Sequence, residues 1–467
     1  MRRSHRRRLV RSSKRLMAEL VTSLPRRDTV PRRSRPVAVA APQPQRNQGW
    51  DLLLVCVAVY IASGVGRIHD LFPVLLPLKP ALLSTVLAIG LLLLQQRRER
   101  RLILLRRAKP TKWLAGLLIW GALSVPFALT GGMAFRFWMD FARAIVMYAV
   151  IAGSARSARD VKRLVLIYFA VTVVYALVIL SRFQLDPDNW RLGRLYYYDA
   201  NDLATLIATA MPLGLYFVLA HRRLVLRLAA LAGLLVLVVA LIRSGSRGGF
   251  LAFLAIAAFI LVGFTTVPAR ARITGLVVIL TVLGATASDK YWTQMQTIVT
   301  PRSDYNLTDD AGRVKIWKRG IGYMLQRPMF GVGMGNFPTA EGTLSTLARA
   351  GERGRGVRWG AAHNTFVQIG AELGIPGLLF FIAFIGSVLA ALRRITRQAA
   401  RGDPAAADLS RLAQSLMAAI IGFAVGSFFL SLAYADILYT LAALSVALAK
   451  IARPAPQNVA ALQPANR

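Results

Sequence analysis

The sequence predicts an all-α polytopic membrane protein with about twelve transmembrane helices, and three observations support this fold class. Hydrophobic residues make up 55% of the 467 residues, a larger share than soluble domains normally carry. They are collected in nearly uncharged blocks, each long enough for an α-helix to cross about 30 Å of hydrocarbon. Apolar and polar residues do not alternate within the blocks, which excludes an outer-membrane β-barrel.

The apolar blocks define the order of the predicted helices. They lie at residues 50–66, 74–95, 112–130, 138–155, 163–181, 200–220, 224–242, 248–264, 270–287, 364–392, 410–432 and 434–452. The chain therefore divides into a disordered basic tail (1–49), helices 1–9 (50–287), one large polar loop (288–363), helices 10–12 (364–452) and a second tail (453–467).

The formal net charge of +38 would indicate a nucleic-acid partner in a soluble protein. Here the basic residues concentrate in alternate connections between the apolar blocks, at 95–112, 153–163, 221–227, 265–273 and 393–411. This pattern is the positive-inside bias of membrane proteins. It predicts cytoplasmic termini, an outer position for the loop 288–363, and contact with membrane lipids but not with nucleic acid.

The sequence offers no pattern for a metal or another cofactor. No group of His, Cys, Asp and Glu shows metal-ligand spacing, and Cys56 is the single cysteine, so no disulfide framework forms. The run from Gly331 to Asn336 contains Gly-x-Gly-x-Gly but lacks the preceding strand of a dinucleotide site. We therefore interpret it as a turn and expect a cofactor-free, metal-independent protein.

The large loop contains two predicted short amphipathic helices. Residues 311–327 place Val314, Ile316 or Trp317, Ile321, and Met324 or Leu325 at near-helical spacing, which predicts a helix lying on the membrane surface. Residues 339–350 predict a second helix, and both would lie outside the bilayer.

His363 is the candidate general base. It precedes a long apolar helix at the outer surface, with Asn364 and Glu372 at nearby helical positions. Imidazole, with an ordinary pKa near ~6.5, accepts a proton near neutral pH. The alternative interpretation of such a residue is a helix cap or an interfacial side chain.

Arginines at three outer positions predict a site for a diphosphate. Arg243 and Arg247 lie in the turn between helices 7 and 8, where Ser and Gly would leave backbone N–H groups available at a helix N-terminus. Arg191 and Arg194 precede helix 6, and Arg313 begins the amphipathic helix. Guanidinium groups match phosphate oxygens bidentately. The alternative for each arginine alone is that it extends to the lipid headgroups.

Four motifs, taken in order, resemble the O-antigen ligase/polymerase superfamily over about residues 190–390. They are Ser244-Gly-Ser-Arg-Gly-Gly249, Gly312-Arg-x3-Trp317, Pro328-x2-Gly-x-Gly-x-Gly-Asn336 and His363-Asn-x7-Glu372-Leu-Gly-Ile-Pro-Gly377. The resemblance implies a GT-C-like glycosyltransferase of the bacterial inner membrane whose donor is a glycan linked to undecaprenyl diphosphate at the periplasmic face.

The same resemblance implies which residues act. His363, Arg247 and Arg313 match the family's catalytic positions, and Arg191 or Arg194 matches its arginine before helix 6. Trp317, Asn336, Asn364 and Glu372 would support them. Asp199-Ala-Asn201 stands where relatives often have Pro-Asn, which leaves the role of Asn201 open.

The acceptor separates the functional hypotheses. Arginines in the large loop suit a phosphorylated acceptor and favour an inverting ligase that uses lipid A–core; they are Arg349, Arg353, Arg355 and Arg358. The alternatives are an O-antigen or exopolysaccharide polymerase, whose acceptor is another glycan, and then a protein O-oligosaccharyltransferase. A transporter or flippase of lipid-linked sugars is the alternative of a different class, with Asp140, Arg143 and Asp436 as its candidate ionisable residues within the spans.

Overall fold

The protein is all-helical. The computed structural model describes residues 49–99, 105–182, 190–192, 197–300, 312–350, 359–398 and 403–452, and none of these residues lies in a β-strand. The predicted tails 1–49 and 453–467 and the loop arginines Arg353, Arg355 and Arg358 lie outside the described residues, apart from Gly49.

The helices are numbered here in chain order. They are α1 (Leu52–Gly64), α2 (Pro80–Glu99), α3 (Lys109–Ser124), α4 (Gly131–Ser154), α5 (Ala158–Arg182), α6 (Ala200–Ala220), α7 (Leu224–Ser244), α8 (Arg247–Gly263), α9 (Ala269–Thr286), α10 (Asp289–Gln296), α11 (Arg313–Gln326), α12 (Phe337–Thr343), α13 (Thr346–Ala350), α14 (Thr365–Gln398), α15 (Pro404–Ser427) and α16 (Asp436–Ile451). A four-residue helix (Ile68–Leu71) and two 3-10 turns (Pro73–Leu78 and Val125–Phe127) lie between them.

Each predicted apolar block coincides with a helix. Eight of the described helices are long and apolar enough to cross a membrane: Pro73–Gln95, Gly131–Ser154, Ala158–Arg182, Ala200–Ala220, Leu224–Ser244, Ala269–Thr286, Thr365–Gln398 and Pro404–Ser427. Helices α1, α3, α8 and α16 are shorter, at 13, 16, 17 and 16 residues. The polytopic all-α fold class is confirmed, and the count of twelve spans stays a prediction.

Helix α6 is the centre of the bundle, because α5, α7, α8 and α15 all pack against it. Within its apolar segment 78% of the residues are buried, against 6% for α9, which lies at the periphery. Buried hydroxyl groups in this interior form hydrogen bonds with each other. The hydroxyl oxygens of Tyr168 and Thr209, for example, are 2.8 Å apart.

Helix α14 is kinked at Gly374, where φ is +69°. The turn after α11 packs against this kink: the N–H groups of Val332 and Gly333 donate to the carbonyls of Ala371 (2.8 Å) and Glu372 (2.9 Å), and the N–H of Ile375 donates to Pro328 (2.8 Å). We call this contact between residues 328–336 and 371–375 the glycine joint. The predicted turn is confirmed, whereas the sequence analysis did not predict the kink.

Two glycines allow the backbones of the glycine joint to touch. A Cβ atom at Gly331 would lie 2.4 Å from the carbonyl oxygen of Ala371, and one at Gly374 would lie 2.4 Å from that of Met329. Both residues also have positive φ, which favours glycine. The motif glycines that first indicated a family therefore have a packing role.

Helix α11 confirms the helix predicted within residues 311–327, and its position on the membrane surface stays a prediction. Ile316 and Tyr323 are buried, while Ile321 and Leu325 are 43% and 64% exposed. Exposed apolar side chains agree with a helix that lies on a membrane surface, but apolar spacing did not identify Gly320 as the point of contact with the bundle. Gly320 brings α11 against neighbouring side chains, and a Cβ there would lie 2.4 Å from Val367.

The second predicted helix, 339–350, forms two helices, α12 and α13. An ion pair fixes α12 to α11: the Arg319 guanidinium donates to both oxygens of Glu341, with a shortest distance of 2.6 Å, and the Tyr323 hydroxyl donates to the same carboxylate at 2.8 Å. Hydrogen bonding to Glu341 raises the pKa of Arg319, and burial raises the pKa of Tyr323. Both groups therefore remain protonated donors.

Candidate active site

The backbone of His363 is held from two sides. Its N–H donates to Ser431 Oγ at 2.9 Å, and its carbonyl accepts a hydrogen bond from the Trp317 indole at 3.3 Å. Its φ of +47° is uncommon for a residue with a side chain. The side chain is partly exposed. His363 is therefore presented at the end of the bundle where α14 begins.

Asn364 caps α14. Its Oδ1 accepts from the N–H groups of Phe366 (2.9 Å) and Val367 (3.0 Å), so the capping role that was the alternative for His363 belongs to its neighbour. Asn364 supports the site by fixing the first turn of the helix that follows His363.

Glu372 bonds the glycine joint and the segment before α16. Its carboxylate is buried. It accepts hydrogen bonds from the Tyr434 hydroxyl at 2.7 Å and from the Phe337 N–H at 3.3 Å. Burial and the nearby carboxylate raise the pKa of Tyr434 well above its ordinary value, so the phenol stays a donor. Glu372 thus joins the glycine joint to the connection between α15 and α16.

The α15–α16 connection is the main support that the sequence analysis missed. Besides Ser431 and Tyr434, its backbone is tied to α14 through Thr365, whose hydroxyl donates to Leu430 O (2.9 Å) and accepts from Leu432 N (3.0 Å). The available signal was the presence of Ser431, Tyr434 and Asp436 at the boundary of two apolar blocks, which a hydropathy scan nearly merges.

Aromatic packing joins His363 to the start of α8. The Trp317 ring, whose indole bonds His363, lies 5.4 Å from Phe428 and 6.2 Å from Phe429 between centroids. Phe429 packs on α8 at Gly248, where a Cβ atom would lie 3.2 Å from Phe429 Cβ. Because Gly248 follows Arg247, the arginine and histidine regions predicted separately meet at one end of the bundle.

Arg247 is the first residue of α8 and is partly buried. Its Nη1 donates to Thr297 Oγ1 at 2.7 Å, just beyond α10. The preceding Ser246 hydroxyl accepts from Gly249 N at 3.1 Å. The expectation that the backbone N–H groups here are available to an anion is therefore wrong for Gly249, and the guanidinium itself is the candidate ligand.

Arg191 lies beside the same turn. Its Nε donates to Ser244 O at 2.7 Å and its Nη2 to Asn201 Oδ1 at 2.9 Å. A Cβ at Gly245, where φ is +57°, would lie 3.0 Å from Arg191 Cδ, so glycine makes room for the guanidinium stem. Asn201, whose role was open, therefore orients Arg191. Arg194 lies outside the described residues.

The other predicted residues take peripheral places. Arg243 holds the segment next to Arg191 through its carbonyl, which accepts from Leu192 N at 2.8 Å. Arg313 is the first residue of α11, one turn before Trp317 and on the same helix face. Asn336 has a structural role, since its side-chain amide pairs with the backbone of Thr130.

Among the described residues, no group of three or more His, Cys, Asp and Glu side chains could hold a metal ion. Two guanidinium groups are oriented at this end of the bundle, those of Arg191 and Arg247, and Arg313 begins α11 one turn before Trp317. Such a set is suited to an oxyanion such as phosphate.

The fold and the site define a multi-pass membrane protein with oriented arginines and one histidine at one end of a helix bundle. Residues 232–382 match the family model described as O-Antigen ligase, a segment that runs from α7 into α14 and contains Arg247, Arg313 and His363. The match covers about a third of the chain and supports the resemblance to the O-antigen ligase superfamily that the motifs predict. No curated protein matches the sequence.

Proposed function

We propose that the protein transfers a glycan from undecaprenyl diphosphate to lipid A–core at the periplasmic face of the bacterial inner membrane, with inversion and without a metal. The observation that carries this proposal is the convergence of Arg191, Arg247 and His363, through Phe429 and Trp317, at one end of the bundle.

The arginines would bind the diphosphate of the donor. Arg191 is oriented by Ser244 and Asn201, and Arg247 by Thr297, so each guanidinium is fixed before the donor arrives. Fixed cations stabilise charge that develops on the departing diphosphate without reorganisation in the transition state. They raise the rate only where they stabilise that charge more than the ground state.

The helices below these arginines offer apolar space for the polyprenyl tail. A cavity of 310 Å³ lies between α6, α7, α8 and α9 and is lined almost entirely by apolar side chains. Its lining on α8 begins at Phe253, six residues or about 9 Å along the helix from Arg247. A tail that descends from a diphosphate at Arg247 would reach it.

His363 would act as the general base. It accepts the proton of the acceptor hydroxyl while that oxygen attacks the anomeric carbon and the bond from this carbon to the diphosphate oxygen breaks. The products are the glycosylated acceptor and undecaprenyl diphosphate, whose added negative charge is stabilised by the arginines. Attack opposite to the leaving group inverts the anomeric centre.

The test is transfer by the purified protein in detergent, with a lipid-linked glycan as donor, EDTA present and no nucleotide. Three acceptors are compared: lipid A–core, a second lipid-linked repeat and a Ser/Thr peptide. The proposal predicts glycan on lipid A–core. Product on the second repeat would mean a polymerase, and product on the peptide a protein transferase. Movement of intact donor across a liposome membrane with no transfer would mean a transporter.

A further inference from the structure

A second cavity lies at the end of the bundle opposite to His363. It has a volume of 800 Å³ and is lined by three helices: the beginning of α3, the second half of α14 and the end of α16. Its lining includes Trp113, Ile382, Ala390 and Val446 as apolar walls. This space is separate from the candidate active site, because Lys109, Arg394 and Lys450 are at the helix ends farthest from it.

The mouth of this cavity is cationic. Four of its described lining residues are basic, namely Arg107, Lys109, Arg394 and Lys450, and none of the described lining residues is acidic. The Lys450 ammonium donates to the carbonyls of Ala152 (2.9 Å) and Ala155 (2.8 Å), which fixes it at the mouth. A ligand here would therefore meet positive charge from three helices.

The basic groups and the apolar walls lie at different depths in the cavity. Ile382 precedes Arg394 by twelve residues on α14, or about 18 Å along the helix. Basic groups thus stand at the surface, and apolar walls extend inward past Trp113. This gradient fits a molecule with an anionic head and a hydrocarbon chain.

A simpler explanation for a basic residue at a helix end is interaction with the helix dipole. It applies to Arg394 and Lys450, which are near the C-terminal ends of α14 and α16. It does not apply to Lys109, the first residue of α3, where the dipole disfavours a cation. Arg107 and Lys109 belong to the basic connection 95–112, and anionic lipid headgroups at that membrane face would supply the negative charge that they meet.

We propose that this cavity binds an anionic phospholipid from the leaflet opposite to the candidate active site. Its phosphate would be bound by Arg107, Lys109 and Arg394, and an acyl chain would lie along Trp113, Ile382 and Val446. Basic pockets between membrane helices bind such headgroups. The lipid would brace the ends of α3, α14 and α16, and α14 is the helix that begins beside His363.

The test uses Trp113 as the reporter in the full-length protein purified in detergent. Phosphatidylglycerol and phosphatidylcholine with the same brominated chains are titrated, and fluorescence quenching is compared between wild type and Trp113→Phe to isolate the Trp113 signal. Each basic residue near a lipid surface strengthens binding about fivefold. We therefore expect phosphatidylglycerol to quench Trp113 at a concentration about a hundredfold lower than phosphatidylcholine.

A charge-matched pair of variants gives the control. The triple variant Arg107→Gln/Lys109→Gln/Arg394→Gln should lose this preference, and Arg222→Gln/Arg223→Gln/Arg227→Gln, which removes the same charge at the same end of the bundle outside the cavity, should keep it. If the first triple variant does not fold, Lys109→Gln alone should weaken phosphatidylglycerol binding about fivefold.

Three results would overturn the proposal. Equal quenching by the two lipids in the wild type would mean ordinary contact with bulk lipid. An unchanged preference in the folded triple variant, or in Lys109→Gln, would exclude these cations as the headgroup ligands. Displacement of the phosphatidylglycerol signal by soluble glycerol phosphate at millimolar concentration would indicate an ion site only.

Discussion

At the scale of single residues, the structure separates groups that are placed to act from groups that hold them. Arg191 and Arg247 are oriented by polar partners at the α7–α8 turn, and His363 is fixed through its backbone. Asn201 and Asn364 were also predicted as site residues. Asn201 accepts a hydrogen bond from Arg191, and Asn364 caps the start of α14. The motifs therefore mix chemical and structural roles.

Arg247→Lys and Arg247→Ala should both lose transfer activity, by about 100-fold or more for alanine, because a fixed donor to the developing negative charge is removed. Lysine keeps the charge but not the bidentate fork that phosphate oxygens match. Turnover and donor binding are measured on purified protein, with Arg223→Ala at the opposite end of the bundle as the control. Full activity of Arg247→Ala would exclude this arginine from the diphosphate site.

Sequence reasoning singled out His363 and the arginines as candidates because basic residues are depleted from the outer connections of membrane proteins. It could not show which partners hold them. Ser431 and Thr297 are far from His363 and Arg247 in sequence, and their contacts depend on tertiary packing.

At the scale of elements, the glycine joint determines how the loop segment 328–336 sits on α14. The kink at Gly374 turns backbone groups of α14 toward this segment, and three hydrogen bonds between the two segments result. Gly374 and Pro376 can be recognised in the sequence as residues that disturb a helix. Their partner backbone at Pro328 and Met329 is distant in sequence, so the contact made at the kink could not be predicted.

Gly374→Ala should destabilise the protein by at least about 1–2 kcal/mol, because alanine is strained at positive φ and its Cβ would meet the Met329 carbonyl. Gly386→Ala on the same helix is the matched control, since no atom lies within 4 Å of the added Cβ. Thermal denaturation in detergent measures both variants. Equal midpoints would show that the glycine joint does not depend on this residue.

The Arg319–Glu341 pair should behave as one unit. Removing either partner leaves a desolvated charge, so Arg319→Ala and Glu341→Ala should each cost about 3–5 kcal/mol, and the double variant clearly less than the sum. Two quantities are measured: the resistance of α11–α13 to limited proteolysis and the midpoint of thermal denaturation. Additive losses would mean that the two side chains stabilise α12 independently.

At the scale of the whole molecule, the two ends of the bundle differ in chemistry. One end carries His363 and the oriented arginines, and the other carries basic connections and the cationic cavity. Apolar block lengths predicted the helices well because a bilayer imposes a minimum span. They could not predict that α6 lies at the centre and α9 at the periphery, since both are apolar along their length.

The basic connections predict the orientation of the bundle in the membrane. Reporter tags at residue 20, within 95–112 and at the C-terminus should give a cytoplasmic signal, and a tag near residue 345 a periplasmic one. Alkaline phosphatase and green fluorescent protein fusions provide complementary readouts at each position. A cytoplasmic signal from residue 345 would place the candidate site on the wrong side for a periplasmic donor.

The central claim, that His363 is the base of a glycan transfer reaction, is tested most directly by transfer with purified His363→Ala and His363→Gln while donor binding is measured in parallel. The account predicts a loss of about 10²–10⁴-fold in turnover with normal donor binding and normal folding. Wild-type transfer should also fall as the pH is lowered, because a protonated imidazole cannot accept the acceptor's proton. Near-normal turnover of His363→Ala would contradict the account, and loss of donor binding along with turnover would assign His363 to donor recognition instead.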